Sequence, residues 1–294
     1  MPTMPDVDLP KFRFKPLTTS WAAIHPRPQG VIFFIGGAFF GTFPTVFYRY
    51  LLRSLYHSGY TLVALPFRFS FRHWSVALSL AEGKAQIRQE LTELARQHGY
   101  SHSLYGEEPN SPAFNYLWLG HSLGCKYIAL LELLTDRAKQ DSAVLNNCIG
   151  LGQSERLANA LGNVSLKQIS LLNQPSILLD PVISDLDGAV PIKSLRALVE
   201  RLIRVEPSID QTYCLINRSR LFALTSVIAF TSRLAKETVS TLEELLTLQL
   251  SSFKQLPLGN HLAALGLNRG NAELVEAVLH AIDKAKARLP DAHR

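Results

Sequence analysis

The sequence predicts an α/β fold, a mostly parallel central sheet with helices on both faces. Two observations carry this. Short apolar runs such as Val31, Ile32, Phe33, Phe34 and Ile35 show no alternation of polar and apolar residues. That is the pattern of strands buried on both faces. Stretches of helical periodicity, roughly 10 to 25 residues long, separate those runs, as parallel strands joined by crossover helices require.

Residues 17–25 read as an early strand, closed by Pro26 and Pro28. The run 31–35 is the next strand and ends in Gly36-Gly37. Residues 43–57 are expected as an amphipathic helix, because Val46, Phe47, Tyr50, Leu51 and Leu55 fall near helical spacing and Gly59 provides a stop. A strand over 60–66 and a long helix over 74–98 follow, with Gly83 as an interruption and Gly99 as the stop. A polar loop containing Gly106, Pro109 and Pro112 leads to a strand over 116–119 and a helix from Leu123 to about Lys139. Further strands are expected over 176–180, 227–230 and 252–256. Residues 271–289 close the chain as a helix with Leu274, Val275, Val278, Leu279 and Ile282 on one face.

Two stretches break the alternation. Residues 141–174 are long for a connection, and residues 185–221 carry a helix of their own over about 191–205. An insertion at the second place would lie above the carboxyl ends of the strands, where α/β folds bind ligands. With no Gly/Ser-rich or Pro-rich linker, residues 1–294 read as one domain, with 185–221 as a lid or cap.

Composition excludes several classes. At 47% hydrophobic and 18% charged, the chain is neither disordered nor fibrous. A net charge of +6 with no run of five like charges gives no nucleic-acid signature. Cys125, Cys148 and Cys214 are odd in number and widely spaced, which fits a reducing compartment better than a disulfide framework. No apolar run approaches the roughly 18 residues of a membrane span, and the first ten residues, with Asp6 and Asp8, do not form a secretory signal. A cytoplasmic location is the expectation. The oligomeric state is not legible.

The chemistry is concentrated in Gly120-His121-Ser122-Leu123-Gly124, which follows an apolar strand and precedes an apolar helix. A Gly-x-Ser-x-Gly sequence in that context is a nucleophile elbow, the signature of the α/β-hydrolase fold. The serine sits in a strained strand-to-helix turn, and side chains two residues to either side would collide, so both places are glycine. The turn lifts Oγ out of the sheet and aims the Leu123 N–H at an oxyanion. A second oxyanion donor is expected in Gly36-Gly37-Ala38-Phe39-Phe40-Gly41, from Ala38 or Phe39.

A serine needs a base, and in this fold the chain order is serine, acid, histidine. His261 stands after the last expected strand, whereas His280 lies inside the closing helix. His261 is therefore the expected base. The acid should follow the strand over 227–230, where Ser232-Arg233 stands instead. Glu237 is the nearest carboxylate. Asp180 or Asp185, at the end of the preceding strand, are the alternatives, and an absent acid is the third.

Ile35-Gly36-Gly37-Ala38-Phe39-x-Gly41 with Pro44 and Tyr48-Arg49, then the elbow, then Leu256-Pro257-x-Gly259-x-His261, resembles an α/β-hydrolase-like family of cyanobacteria and plastids known as a domain of unknown function. The resemblance runs from about residue 31 to 265. It implies the fold, a serine hydrolase site, and a cyanobacterial cytosol or plastid stroma. Members of that family tend to carry aspartates where this chain has Ser232-Arg233.

The helix over 191–205 is basic and amphipathic, with Lys193, Arg196, Arg201 and Arg204 beside an apolar stripe. It reads as a surface helix packed on the core, or as a lid touching lipid, which would make the protein membrane-peripheral. Phe39, Phe40 and the aromatics between Phe67 and Trp74 would line an apolar pocket beneath it. Two functions follow. One is a serine hydrolase (esterase, lipase or thioesterase-like) acting on a hydrophobic or lipid-like ester, with no metal or organic cofactor. The other is a binding or assembly protein that kept the fold and lost the acid.

Overall fold

The computed structural model describes residues 10–105, 115–137, 142–162, 169–183, 205–219, 222–246, 249–266 and 271–289. Among the described residues eight strands form one sheet: β1 (Lys15–Pro16), β2 (Trp21–Ala23), β3 (Gly30–Ile35), β4 (Tyr60–Ala64), β5 (Tyr116–His121), β6 (Ser176–Leu179), β7 (Thr225–Phe230) and β8 (Ser252–Leu256). Their order is β1-β2-β4-β3-β5-β6-β7-β8. From β4 to β8 the neighbours pair in parallel, while β2 runs antiparallel to β4 and β1 antiparallel to β2.

The apolar run of β3 explains the two-faced architecture. Successive side chains of a strand point to opposite faces. Val31, Phe33 and Ile35 enter one core with Trp74, Ile87 and Ile128, while Ile32 and Phe34 enter the other with Leu51, Leu55, Val278 and Ile282. Each fully buried Phe or Ile of β3 contributes about 1.5–3 kcal/mol relative to exposure. The first core lies under α3 (His73–Glu82), α4 (Lys84–Gln97) and α5 (Leu123–Arg137); the second lies under α2 (Arg49–His57) and the C-terminal helix (Ala272–Ala287).

The early strand expected over 17–25 is instead a short hairpin, β1–β2, turned by Leu17 N–H on the Ser20 carbonyl at 2.8 Å. The helix expected over 43–57 breaks into α1 (Pro44–Phe47) and α2 around Tyr48, whose side chain is buried. Gly83 separates α3 from α4. The long connection 141–174 contains α6 (Ser142–Ile149) and α7 (Leu151–Leu161). The basic helix expected over 191–205 lies outside the described residues apart from Val205, which is buried. Asp185 also lies outside them. Between residues 185 and 221 the structure does contain α8 (Ile209–Arg218), which the periodicity did not suggest. Its capping box was legible: the Ser208 side chain accepts from Gln211 N–H, and the Gln211 side chain accepts from Ser208 N–H.

The reading of the cysteines as unpaired is corrected. Cys148, on α6, and Cys214, on α8, form a disulfide, while Cys125 is free and buried. The two lie 66 residues apart, so no local spacing announces the pair. Only the packing of α6 against α8 brings them together. Among the described residues no helix is long and apolar enough to cross a membrane.

One buried acid gives the fold a pH signature. Glu132, on α5, accepts from the Thr225 hydroxyl at 2.8 Å, and burial pushes its carboxyl up to about 7, against the opposing effect of that hydrogen bond. The folded state thus holds a proton that the unfolded chain releases near the ordinary carboxyl value. Between about pH 4.5 and 7 the unfolded state binds fewer protons, so this group makes stability fall as pH rises, and the loss is complete above 7. Chemical denaturation across that window should show a decline on the order of 1–3 kcal/mol from this group, and Glu132→Gln should remove it.

Candidate active site

The carboxyl ends of β3, β5, β6, β7 and β8 converge on one spot. Gly120 pairs with Ile35 and His121 with Leu179, so the residue after β5 emerges between β3 and β6. That residue is Ser122, held at φ 55°, with its N–H on the Leu179 carbonyl at 3.1 Å. A left-handed conformation in a non-glycine residue costs about 1–3 kcal/mol and persists only where its surroundings enforce it. The flanking glycines show how. A Cβ on Gly124 would meet the Gly36 carbonyl oxygen at 2.6 Å, and one on Gly120 would meet Ile128 at 2.8 Å. The bend is tight because α5 leaves directly beneath β3.

His261 opens a short 3-10 turn, His261–Leu265, after β8. Asn260 caps the turn, accepting from Leu262 N–H at 2.9 Å. Phe230 pairs with Leu256, and Thr231 N–H donates to the Leu258 carbonyl at 3.0 Å, so the end of β7 guides the chain back toward Ser122. His261 Nε2 lies 2.8 Å from Ser122 Oγ. His280 is exposed on the C-terminal helix, away from this cluster.

The far nitrogen of His261 meets Asp180. Nδ1–H donates to Asp180 Oδ2 at 2.6 Å. Asp180 follows β6 directly and is fully buried. Its other contacts are also donors: Phe230 N–H to Oδ1 at 2.8 Å and the Ser232 hydroxyl to Oδ2 at 2.6 Å. All three partners donate to it, as suits an acceptor-only carboxylate. Because Nδ1 carries the proton, Nε2 is left as the acceptor for the Ser122 hydroxyl.

Of the candidate acids, Glu237 is not the carboxylate that meets His261. It occupies the exposed first turn of α9 (Lys236–Leu246), where the helix dipole favours a carboxylate. The carboxylate that reaches His261 comes from the end of β6, and Ser232 orients it from the place where an acid was expected. Arg233, beside it, points to solvent.

Gly37, Ala38, Phe39 and Leu123 line a pocket in front of Ser122, together with Phe40, Phe69, Val182, Leu234 and Leu262. Leu123 is the first residue of α5, so its N–H has no partner within the helix. Among the described residues the N–H groups of Leu123, Ala38 and Phe39 take part in no hydrogen bond. The Gly37 N–H is occupied by Tyr48 Oη at 2.7 Å. The walls are aromatic: Phe39 stacks on Phe69 at 5.5 Å and Phe40 meets Phe47 edge-on. Phe67, expected as lining, instead packs beneath Gly41, where a Cβ would strike its ring.

Two other histidines border the pocket, and neither suits the role of base. His121 has both ring nitrogens engaged, with Tyr48 Oη at 2.8 Å and the His261 carbonyl at 3.0 Å. His73 is buried, its ring has no hydrogen-bond partner among the described residues, and burial lowers its pKa to about 2. Sequence reasoning missed Tyr48 and Ser232 as members of the cluster and gave His121 no task beyond the elbow. Among the described residues no group of three or more His, Cys, Asp or Glu side chains gathers as a metal site.

Residues 13–268 match the family described as Protein of unknown function (DUF1350). No curated protein matches the sequence. Among solved structures, a hyperthermophilic esterase from the archaeon Pyrobaculum calidifontis aligns with a TM-score of 0.55 at 13% identity, over 95% of this chain and 87% of its own. Thermogutta terrifontis esterase 2 aligns with a TM-score of 0.50 at 16% identity, over 99% of this chain and 96% of its own. At such identities the likeness is one of fold, and that fold is the α/β-hydrolase fold.

Proposed function

This chain belongs to the DUF1350 family, and on that premise we propose that it is a serine hydrolase acting on a carboxylic ester or thioester with a hydrophobic acyl group. The observation that carries the reading is the unbroken line Ser122 Oγ, His261 Nε2, His261 Nδ1, Asp180 Oδ2, with 2.8 and 2.6 Å spacings. In this reading Ser122 Oγ attacks the carbonyl carbon while His261 Nε2 takes its proton. The N–H of Leu123 and that of Ala38 or Phe39 receive the developing oxyanion. His261 then protonates the leaving alcohol or thiol. Water, deprotonated by the same imidazole, releases the acid from Ser122. Asp180 holds the ring in the required tautomer and stabilises the imidazolium.

The apolar walls Phe39, Phe40, Phe69 and Leu262 favour a hydrophobic acyl chain over a sugar or peptide. The esterases that share the fold agree with the same class of reaction. The alternative, a binding or assembly protein that lost its acid, drew on Arg233 standing where an aspartate was sought and on the apolar composition. The contact of Asp180 with His261 supports the hydrolase reading over it on the first of these grounds.

A fluorophosphonate probe tests the reading. It should label the native chain, and peptide mass mapping should find the adduct on Ser122. A folded protein left unlabelled, or labelled elsewhere, would overturn it.

A further inference from the structure

We propose that Tyr48 and His121 are positioning residues for this reaction, forming a buried bridge that ties the oxyanion loop to the backbone of the base. The inference rests on the hydrolase reading and extends it to two side chains that the Ser122–His261–Asp180 line does not use.

The proton positions follow from the partners. His121 Nε2 faces the His261 carbonyl at 3.0 Å, and a carbonyl only accepts, so Nε2 carries the proton. Burial, aided by the neighbouring His261, lowers the His121 pKa to about 3, so the ring is neutral and Nδ1 is an acceptor. Tyr48 Oη, 2.8 Å from Nδ1, must then donate to it. The remaining lone pair of Oη accepts the Gly37 N–H at 2.7 Å. The bridge reads Gly37 N–H to Tyr48, Tyr48 O–H to His121, His121 N–H to His261 C=O. Every group has one possible role, so the direction is unique.

The bridge passes directly behind Ser122. A Cβ on Gly37 would lie 3.1 Å from Ser122 Cβ, 3.3 Å from Tyr48 Oη and 3.4 Å from His121 Nδ1. A Cβ on Gly36 would meet the Tyr48 ring at 2.7 Å. The paired glycines are thus moulded on Tyr48, which explains why the helix expected over 43–57 breaks there to turn the ring inward. Tyr48 occupies the Gly37 N–H, while the N–H groups of the next two residues, the pocket-lining Ala38 and Phe39, take part in no hydrogen bond among the described residues. His121 meanwhile anchors the carbonyl of His261, and their rings lie 4.8 Å apart. A neutral His121 adds no repulsion to the imidazolium that His261 becomes. The two ends of the bridge are the two groups whose separation must be right when the oxyanion and the imidazolium form together. Displacement by about 1 Å at such a place can cost a hundred-fold in rate.

Hydrolysis of p-nitrophenyl butyrate by the full chain tests this, with thermal unfolding recorded for each variant. Tyr48→Phe keeps the ring under Gly36 and removes only the hydroxyl. It should lower kcat by about 10- to 100-fold with KM within about three-fold, and slow fluorophosphonate labelling in step. His121→Gln, whose amide can accept from Tyr48 and donate to the carbonyl, should recover at least part of what His121→Leu loses. Tyr48→Phe combined with His121→Leu should be no slower than the worse single variant, because both cut one bridge. If His121→Leu does not fold, Tyr48→Phe and His121→Gln decide the matter. An active wild type with an unchanged kcat in Tyr48→Phe, a loss appearing only in KM, or multiplicative losses in the double variant would overturn the bridge alone. A folded wild type that neither hydrolyses the ester nor takes the probe would overturn the hydrolase reading and the bridge with it.

Discussion

Replacing Ser122 by Ala is expected to lower kcat on a hydrophobic ester on the order of a million-fold, the loss seen when such a pair is broken. His261→Ala should cost about as much, and the double variant should lose little more than either. The reason is that neither group works alone. Without His261 the hydroxyl keeps its proton, and without Ser122 the imidazole has nothing to activate except water. Both residues lie at the pocket floor rather than in the core clusters, so the variants should fold like the wild type. Ser122→Ala also relieves nothing at the bend, because Ala suffers the same penalty at φ 55°. Steady-state kinetics with circular dichroism checks this. A Ser122→Ala variant retaining a tenth of the activity would mean that the reaction does not pass through the serine.

Asp180→Asn is the second large effect, expected at about ten-thousand-fold in kcat. Asn keeps the shape, but its NH2 group must stand either in the place of Oδ2, facing His261 Nδ1 and the Ser232 hydroxyl, or in the place of Oδ1, facing the Phe230 N–H. If it meets His261, the ring flips to the tautomer with its proton on Nε2, and Ser122 loses its acceptor. Glu237→Gln should leave kcat unchanged, since that carboxylate sits on an exposed helix turn. The pair of variants separates the two acids. Equal losses in both, or a loss only in Glu237→Gln, would remove Asp180 from its role. Ser232→Ala falls between them: it withdraws one of the three donors to Asp180 and should cost far less than Asp180→Asn.

How much of this was legible depends on the range of the interaction. The elbow is local. Strand, turn and helix are contiguous, the glycines sit two residues on either side of Ser122, and steric exclusion acts over that distance. His261 was legible through order along the chain, because the fold places its last loop beside the elbow. The sheet itself was legible from unbroken apolar runs, since burial on both faces leaves a strand no polar positions to alternate.

What the sequence could not decide was which distant groups share an atom-to-atom contact. Asp180 and Glu237 are equivalent as letters. Only the register of β6 against β7, and the positive φ of Asp180, turn one carboxylate toward His261 and leave the other in solvent. Cys148 and Cys214 became a pair only once α6 and α8 packed together. Tyr48 read as one more helical position until the glycine loop closed over its ring. Composition and spacing act along the chain and determined the strands, the bend and its serine. Hydrogen bonds are satisfied within about 3 Å in three dimensions, so the carboxylate behind His261 and the Tyr48–His121 contacts were decided by tertiary structure alone.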